Sequence, residues 1–411
     1  SVVGDFNQWD GRVHQMNRLG ISGIYELFIP GLKPGALYKY EIKAKGSLVY
    51  LKSDPYGNEA EMRPNTASIV TDLNQYSWED ARWLKERKQL QDEKKPVAVY
   101  ELHLGSWKKP EDKERVFYNY REIAPMLASY VKEMGYTHVE LHPVMGYLDE
   151  ESGPYSTFSY YAPDRRYGVP EDFARLVNEL HKENIGVILD WTPAHFPRHG
   201  EGLERFDGTP LYEIPDPAMA VHPMWGTLLY NYESPMVKEF LIANAFYWTE
   251  VYHVDGFRVD DVDSMLYLDY GREGESWRPN LYGTNENLAA VEFLKHLNSV
   301  MKKKHPGVLM IAQEDGLWPE LTDDVENDHI GFDYKWNNNW TSDFIHYLEL
   351  DPVQRQYDHD QLTLSMLYAY CEHYVLTLGT RSAGEISEFM DKLPGDEKQK
   401  LAQIRAAYTY Q

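Results

Sequence analysis

The sequence predicts an α/β protein in two parts: a small N-terminal β-sandwich, then a (β/α)8 barrel that is incomplete within the chain. Three observations carry this expectation. Residues 1–70 hold short strand-like runs separated by turns. After Pro96 the pattern changes to apolar, β-branched runs that alternate with longer helical stretches. Polar residues gather at the C-terminal ends of those runs, where barrel enzymes build their sites.

In the first part, Val2-Val3 runs into Gly4-Asp5, and Ile24–Ile29 is strand-like before the Pro30-Gly31 turn. Leu37–Ile42 alternates with period two, as a half-buried strand does. Asn7, Trp9, Tyr38 and Tyr40 are candidates for lining a binding surface there. Residues 1–72 are therefore expected to form the sandwich, and the polar, helix-prone stretch 73–96 a linker.

In the second part, residues 97–411, the expected strands are Val97–Glu101, His138–Pro143, Val187–Trp191, Gly256–Asp260, Val308–Ile311, Ile330–Tyr334 and Tyr374–Leu378. Amphipathic stretches such as Pro170–Glu183, Pro235–Val251 and Glu286–Lys304 supply helices between them. Buried strands alternating with helices mean a parallel sheet covered on both faces. Seven of them with polar C-terminal ends favour a barrel, with Gln411 falling in the helix after the seventh strand and before any eighth. The chain starts at Ser1, already inside a strand-like run, so a longer natural protein is expected.

Composition narrows the function. The formal net charge is −24, which disfavours phosphate backbones and anionic lipid but not neutral polymers. Nucleic acid and membrane are therefore not expected partners. The 32 Tyr and 11 Trp suit stacking on sugar rings as well as a large core. One cysteine, Cys371, excludes an internal disulfide and fits a cytoplasmic protein, expected to be a monomer or weak oligomer. The 15 His show no spacing that would make a metal site, and no phosphate loop is visible, so neither metal nor cofactor is expected.

The candidate chemistry lies at strand ends. Asp190 closes the third strand and His195 follows it. Arg258 and Asp260, two apart, point to the same side of the fourth strand, where a cation keeps a carboxylate ionised. Gln313 and Glu314 follow the fifth.

Several stretches resemble the bacterial glycogen branching enzymes of the α-amylase superfamily. They are Val-Val-Gly-Asp-Phe-Asn-Gln-Trp-Asp-Gly (2–11), Tyr-Glu-Leu-His-Leu-Gly-Ser-Trp (100–107) and Asp-Trp-Thr-Pro-Ala-His-Phe (190–196). Tyr-His-Val-Asp-Gly-Phe-Arg-Val-Asp (252–260), Ser-Met-Leu-Tyr-Leu-Asp-Tyr (264–270) and Gly-Phe-Asp-Tyr-Lys-Trp-Asn (331–337) extend the likeness along the chain. The resemblance implies a carbohydrate-binding-like first module and a catalytic barrel without the family's C-terminal β domain. It also implies an α-glucan partner such as glycogen or amylose. The implied reaction cleaves an α-1,4 link and transfers the segment to a 6-hydroxyl with retention, through a carboxylate nucleophile and a second carboxylic acid.

By that resemblance Asp260 occupies the nucleophile position and Arg258 that of its partner arginine, with Asp190, His195, Tyr155 and Thr380 as substrate contacts. The chain departs from the family at three places. Ala312-Gln313-Glu314-Asp315 puts Gln313 where the acid/base glutamate stands. Glu314 is kept as a substrate-contact candidate, although strand alternation turns it away from Gln313. Leu378-Gly379-Thr380-Arg381 puts Thr380 at the substrate-binding histidine and Arg381 at the third carboxylate. Of the family's Trp-Gly-Tyr-Gln loop, only Tyr155 survives in Gly153-Pro154-Tyr155-Ser156. The sequence thus predicts a branching-enzyme relative with impaired chemistry. Its alternatives are a glucan-binding pseudoenzyme, a fully active enzyme, or a transferase or hydrolase of altered specificity using Glu314 or Asp315 as acid.

Overall fold

The computed structural model describes residues 1–44, 48–90, 95–112, 114–148, 153–272, 274, 276–316, 318–378 and 390–411. In the first module, Leu37–Lys43 is the central strand of an antiparallel sheet. It pairs with Val2–Gly4, Val49–Lys52 and Ser68–Ile69. The run expected over Ile24–Ile29 contributes only Tyr25–Glu26, paired with Asn17–Arg18 in a separate hairpin. A two-stranded hairpin has little to bury against, and Phe28 is 86% exposed.

Seven strands of the second part form one parallel sheet in sequence order: Val99–Leu102, His138–Leu141, Gly186–Trp191, Gly256–Val259, Leu309–Ala312, Tyr334–Asn337 and Tyr374–Leu376. Side chains alternate across it. Val139, Leu141, Val187, Leu189, Phe257 and Met310 join the large core shared with the helices. The other face holds a second cluster of Val99, Ile188, Leu309, Ile311, Tyr334, Trp336 and Val375. That cluster runs from the first strand to the seventh, which an open flat sheet does not permit, so the sheet curls around it. Among the described residues the first and seventh strands are not paired.

The expected strands lie within two residues of the observed ones, except the sixth. It begins at Tyr334, where Ile330–Tyr334 was expected to end. Gly331 explains the shift: its φ of +83° breaks the extended run, and a Cβ there would meet Val325 Cγ2 at 2.3 Å. The three expected helices form as Pro170–Lys182, Pro235–Val251 and Leu288–Lys304. Proline opens the first two, where its missing N–H costs nothing. The C-terminal helix, Glu397–Tyr410, lies along the seventh strand; Tyr408 Oη donates to the Leu378 carbonyl (3.0 Å).

The stretch expected as a linker contains the helix Ala81–Leu90, and it is anchored rather than free. Trp83 is buried and its Nε1 donates to Asp255 Oδ1 at 2.8 Å. The first module also grips the barrel directly. Lys39 Nζ meets Glu201 Oε2 at 3.0 Å, and the buried Lys52 Nζ donates to the Glu204 carbonyl at 2.6 Å.

Candidate active site

Alternation places Glu140, Asp190, Arg258, Asp260 and Gln313 on the inner face of the curled sheet, at or just beyond the strand ends. Arg258 is the hub. Its Nη1 lies 3.1 Å from both Asp190 Oδ2 and Asp260 Oδ1, and its Nε lies 3.7 Å from Glu140 Oε1. The guanidinium rests 5.3 Å from the Trp336 ring centroid. Tyr155 Oη donates to Asp190 Oδ2 at 2.5 Å.

This arrangement sorts the three carboxylates. The Asp190 and Glu140 side chains are fully enclosed, whereas Asp260 is 17% exposed and so is the member that opens to solvent. Burial alone would lower the Arg258 pKa, but Asp190, Tyr155, Asp260 and Glu140 outweigh it and hold the cation charged. Burial, reinforced by Asp190, pushes the Glu140 carboxyl well up. Burial and the same aspartate push the Tyr155 hydroxyl up, so it stays a neutral donor. The centre therefore presents an accessible carboxylate backed by a permanent cation, as a nucleophile requires.

His195 is buried beyond the third strand, its Nε2 3.9 Å from Asp261 Oδ2. Burial lowers its pKa to about 4 against the pull of Asp261, so the ring is neutral near pH 7. His222 accepts at Nδ1 from the backbone N–H groups of Met224 and Trp225 (3.3 and 3.2 Å). Its proton must then sit on Nε2, which donates to Asp261 Oδ2 at 3.0 Å.

Beyond the fifth strand, Gln313 Oε1 accepts from the Asp261 backbone N–H at 3.2 Å, and its Nε2 donates to Asp315 Oδ2 at 3.3 Å. Glu314 turns to the side opposite Gln313. Its buried carboxylate is paired with Lys335 and packs near Gly316 and Asp263, because the next residue along an extended chain points to the other side. Asp263, which accepts from the N–H groups of Asp315 and Gly316 at 2.9 Å, has its pKa pushed up to about 7 by burial and by Glu314. Thr380 and Arg381 lie outside the described residues.

Of the other candidates, Asn7 locks its own turn, accepting from Gly4 N and donating to the Val2 carbonyl (both 2.9 Å). Tyr38 and Tyr40 both donate to Asp54 Oδ2 (2.7 and 3.0 Å), and Trp9 remains 40% exposed. Glu140 was missed from sequence, although His138, Glu140 and His142 put a polar residue at every second position of the second strand. His222 sits in a loop with no pattern to announce it. Among the described residues one further His–carboxylate group, Glu320, Asp323 and His329, could hold a metal; its carboxylates are exposed. The two His329 ring nitrogens face different carboxylates, an ion-pair arrangement.

Both parts of the chain resemble known proteins. Carbohydrate-binding module 48 (isoamylase N-terminal domain) matches residues 1–57, and the alpha amylase catalytic domain matches residues 125–206. The chain is 49% identical over its whole length to the 1,4-alpha-glucan branching enzyme GlgB of Methylococcus capsulatus, covering 55% of that protein. It is 47% identical to the enzyme of Nitrosococcus oceani (55% covered) and 48% identical to that of Butyrivibrio fibrisolvens (64% covered), again over all of this chain. The chain thus spans little more than half the length of the first of these relatives. A crystal structure of a Salmonella typhimurium protein described as an alpha amylase shares the fold. Its TM-score is 0.59 at 22% identity, over 84% of this chain and 52% of that one. Along its whole length the chain is thus similar to the 1,4-alpha-glucan branching enzymes, and its two parts match carbohydrate-binding module 48 and the alpha amylase catalytic domain.

Proposed function

We propose that this chain carries the glucan-binding module and the catalytic centre of an α-1,4-glucan branching protein whose chemistry is slowed at the proton-transfer step. The observation that carries the reading is the Arg258 hub: one buried cation holding Asp190 and Asp260 at 3.1 Å, with Asp260 alone open to solvent.

In this reading Asp260 attacks the anomeric carbon of an α-1,4-linked glucosyl unit. The C1–O4 bond breaks and a glucosyl ester forms on Asp260; a 6-hydroxyl of a second chain then displaces it with a second inversion, so configuration is retained. Asp190 and Tyr155 hold the sugar at the nucleophile, and neutral His195 offers a hydrogen bond. The departing O4 needs a proton and the attacking 6-hydroxyl must lose one; without a side-chain acid/base, both are exchanged with water. Gln313 has the reach of a glutamate and can hydrogen-bond that oxygen through Nε2, but it has no acidic proton to give. Losing a general acid costs about 10²–10⁴ in rate. Glu314, paired with Lys335, supplies no substitute. Arg381 at the third carboxylate position would add a charge that opposes the oxocarbenium-like transition state.

The test is branching on amylose, followed by the fall in iodine colour and by new α-1,6 ends after debranching. Asp260→Asn is expected to abolish whatever rate the protein has, while glycogen binding persists. A protein that neither branches nor binds glycogen would overturn the proposal. Binding without any branching in the unmodified protein would favour the second reading, a glucan-binding pseudoenzyme, for which Gln313 is the supporting observation.

A further inference from the structure

Loop residues 221–226 carry an exposed tryptophan on an unusually constrained backbone. Trp225 is 63% exposed, yet its N–H is bonded to His222 Nδ1 at 3.2 Å. His222 is fully enclosed and its other nitrogen is committed to Asp261, the residue after Asp260. The loop is closed by the His222 N–H to Thr227 carbonyl and Gly226 N–H to His222 carbonyl bonds, both 2.9 Å. Arg272 ties its approach down, donating to the Ala218, Met219 and Val221 carbonyls at 3.1, 3.0 and 2.8 Å. The backbone that carries this exposed ring is thus held in place, which lowers the cost of presenting it to a ligand.

A second observation places a path beside it. A cavity of about 410 Å³ is lined by Asp263, Tyr267, Asp269, Tyr270, Asp315 and Gly316. Asp315 in its wall is the partner of Gln313. Tyr270, also in the wall, lies 5.9 Å from the His222 ring, and that ring lies 6.2 Å from Trp225. Two tyrosines and three carboxylates line this cavity. Carboxylates accept from sugar hydroxyls, and tyrosine and tryptophan faces stack on the C–H faces of pyranose rings. A neutral polyol meets no charge repulsion there.

We infer that Trp225 and the Tyr270 cavity form an extended subsite for a linear α-1,4-glucan segment, continuous with the Gln313 side of the catalytic centre. The inference rests on the reading of that centre as a glucan site. The subsite selects for chain length: only a glucan that spans from Asp260 to the ledge gains the stacking contact, worth about three- to tenfold in affinity.

The test is isothermal titration of the protein with maltotriose and with maltoheptaose. In the unmodified protein the longer glucan is expected to bind more tightly. Trp225→Ala should remove three- to tenfold of maltoheptaose affinity, leave the melting temperature unchanged and shrink the difference between the two ligands. Trp225→Phe should recover part of the loss. Equal maltoheptaose affinity in Trp225→Ala and the unmodified protein, with Tyr155→Phe still weakening binding, would overturn the subsite and leave the catalytic reading standing. No glucan binding by the unmodified protein would overturn both.

Discussion

Arg258 shows how much one residue decides. Its buried guanidinium lies between the enclosed Asp190 and the solvent-facing Asp260, so the ion pairs and the nucleophile's environment are the same set of bonds. Removing one partner of a buried pair strands the other charge, at a cost of about 3–5 kcal/mol. Arg258→Leu is therefore expected to lower unfolding stability by that amount in a urea titration, whereas Asp260→Asn, at the more exposed end, costs less. At this scale the site was largely legible. Asp190, Arg258 and Asp260 follow from strand period and strand ends alone, and the turning away of Glu314 follows from the same alternation. Its pairing with Lys335 does not, because the two residues sit on different strands. The hold of His222 on Asp261 was equally hidden, since the contact spans 39 residues of loop and helix.

Among the elements, the helix Ala81–Leu90 departs most from what its sequence suggests. Its polar, helix-prone sequence reads as a linker and gives no sign of what it packs against. It is instead one side of a buried charge cluster in which His181 Nδ1 lies 2.8 Å from Asp80 Oδ2 and Nε2 lies 2.8 Å from Asp255 Oδ2. His253 Nδ1 also meets Asp80 (2.7 Å), and Arg87 Nη1 lies 3.5 Å from Asp255. Ionised carboxylates only accept, so His181 must carry both protons. Burial opposes that charge, but Asp255 and Asp80 outweigh it and raise the His181 pKa above its ordinary 6.5. The stabilisation is fully present below 6.5 and is lost as pH rises through the raised folded value. Asp80 and Asp255 are held below their ordinary 3.8, despite burial, chiefly by the same histidine. Their contribution is present above 3.8 and is lost as pH falls through the lowered values. Thermal melts are thus expected to be highest between those limits and to decline above neutrality. In His181→Gln the melting temperature should be lower throughout and the decline on the alkaline side should flatten; an unchanged alkaline slope would refute this assignment. The sequence could not reveal the cluster, because Asp80 and Asp255 are 175 positions apart in the chain while period and propensity act locally.

On the scale of the whole molecule, the two parts predicted from the switch in pattern at Pro96 are held together by specific polar contacts. Glu201, on a barrel loop, receives Lys39 and Thr66 of the first module, and its carboxyl is kept low by those bonds against the effect of burial. Tyr56 packs its ring against Tyr161 and Phe240 at centroid distances of 5.1 and 5.2 Å. Glu201→Ala is expected to loosen the module without unfolding the barrel. Limited proteolysis would then cut within 73–96 faster, and an unchanged cleavage rate would argue that the aromatic contacts alone hold the junction. The β/α alternation that made the barrel legible is a local signal, and it succeeded. Which surfaces of the module face the barrel is a matter of pairing between distant residues, and it was not legible.

In the proposed function the nucleophile centre built on Arg258 is intact and Gln313 stands in place of the proton donor. The most direct measurement is the branching rate on amylose of Gln313→Glu beside the unmodified protein. The account predicts a rise of about 10² or more, since the glutamate would restore the acid beside an unaltered Asp260. An unmodified protein that already branches at the rate of its variant, or a variant that gains nothing while remaining folded and glucan-bound, would contradict it.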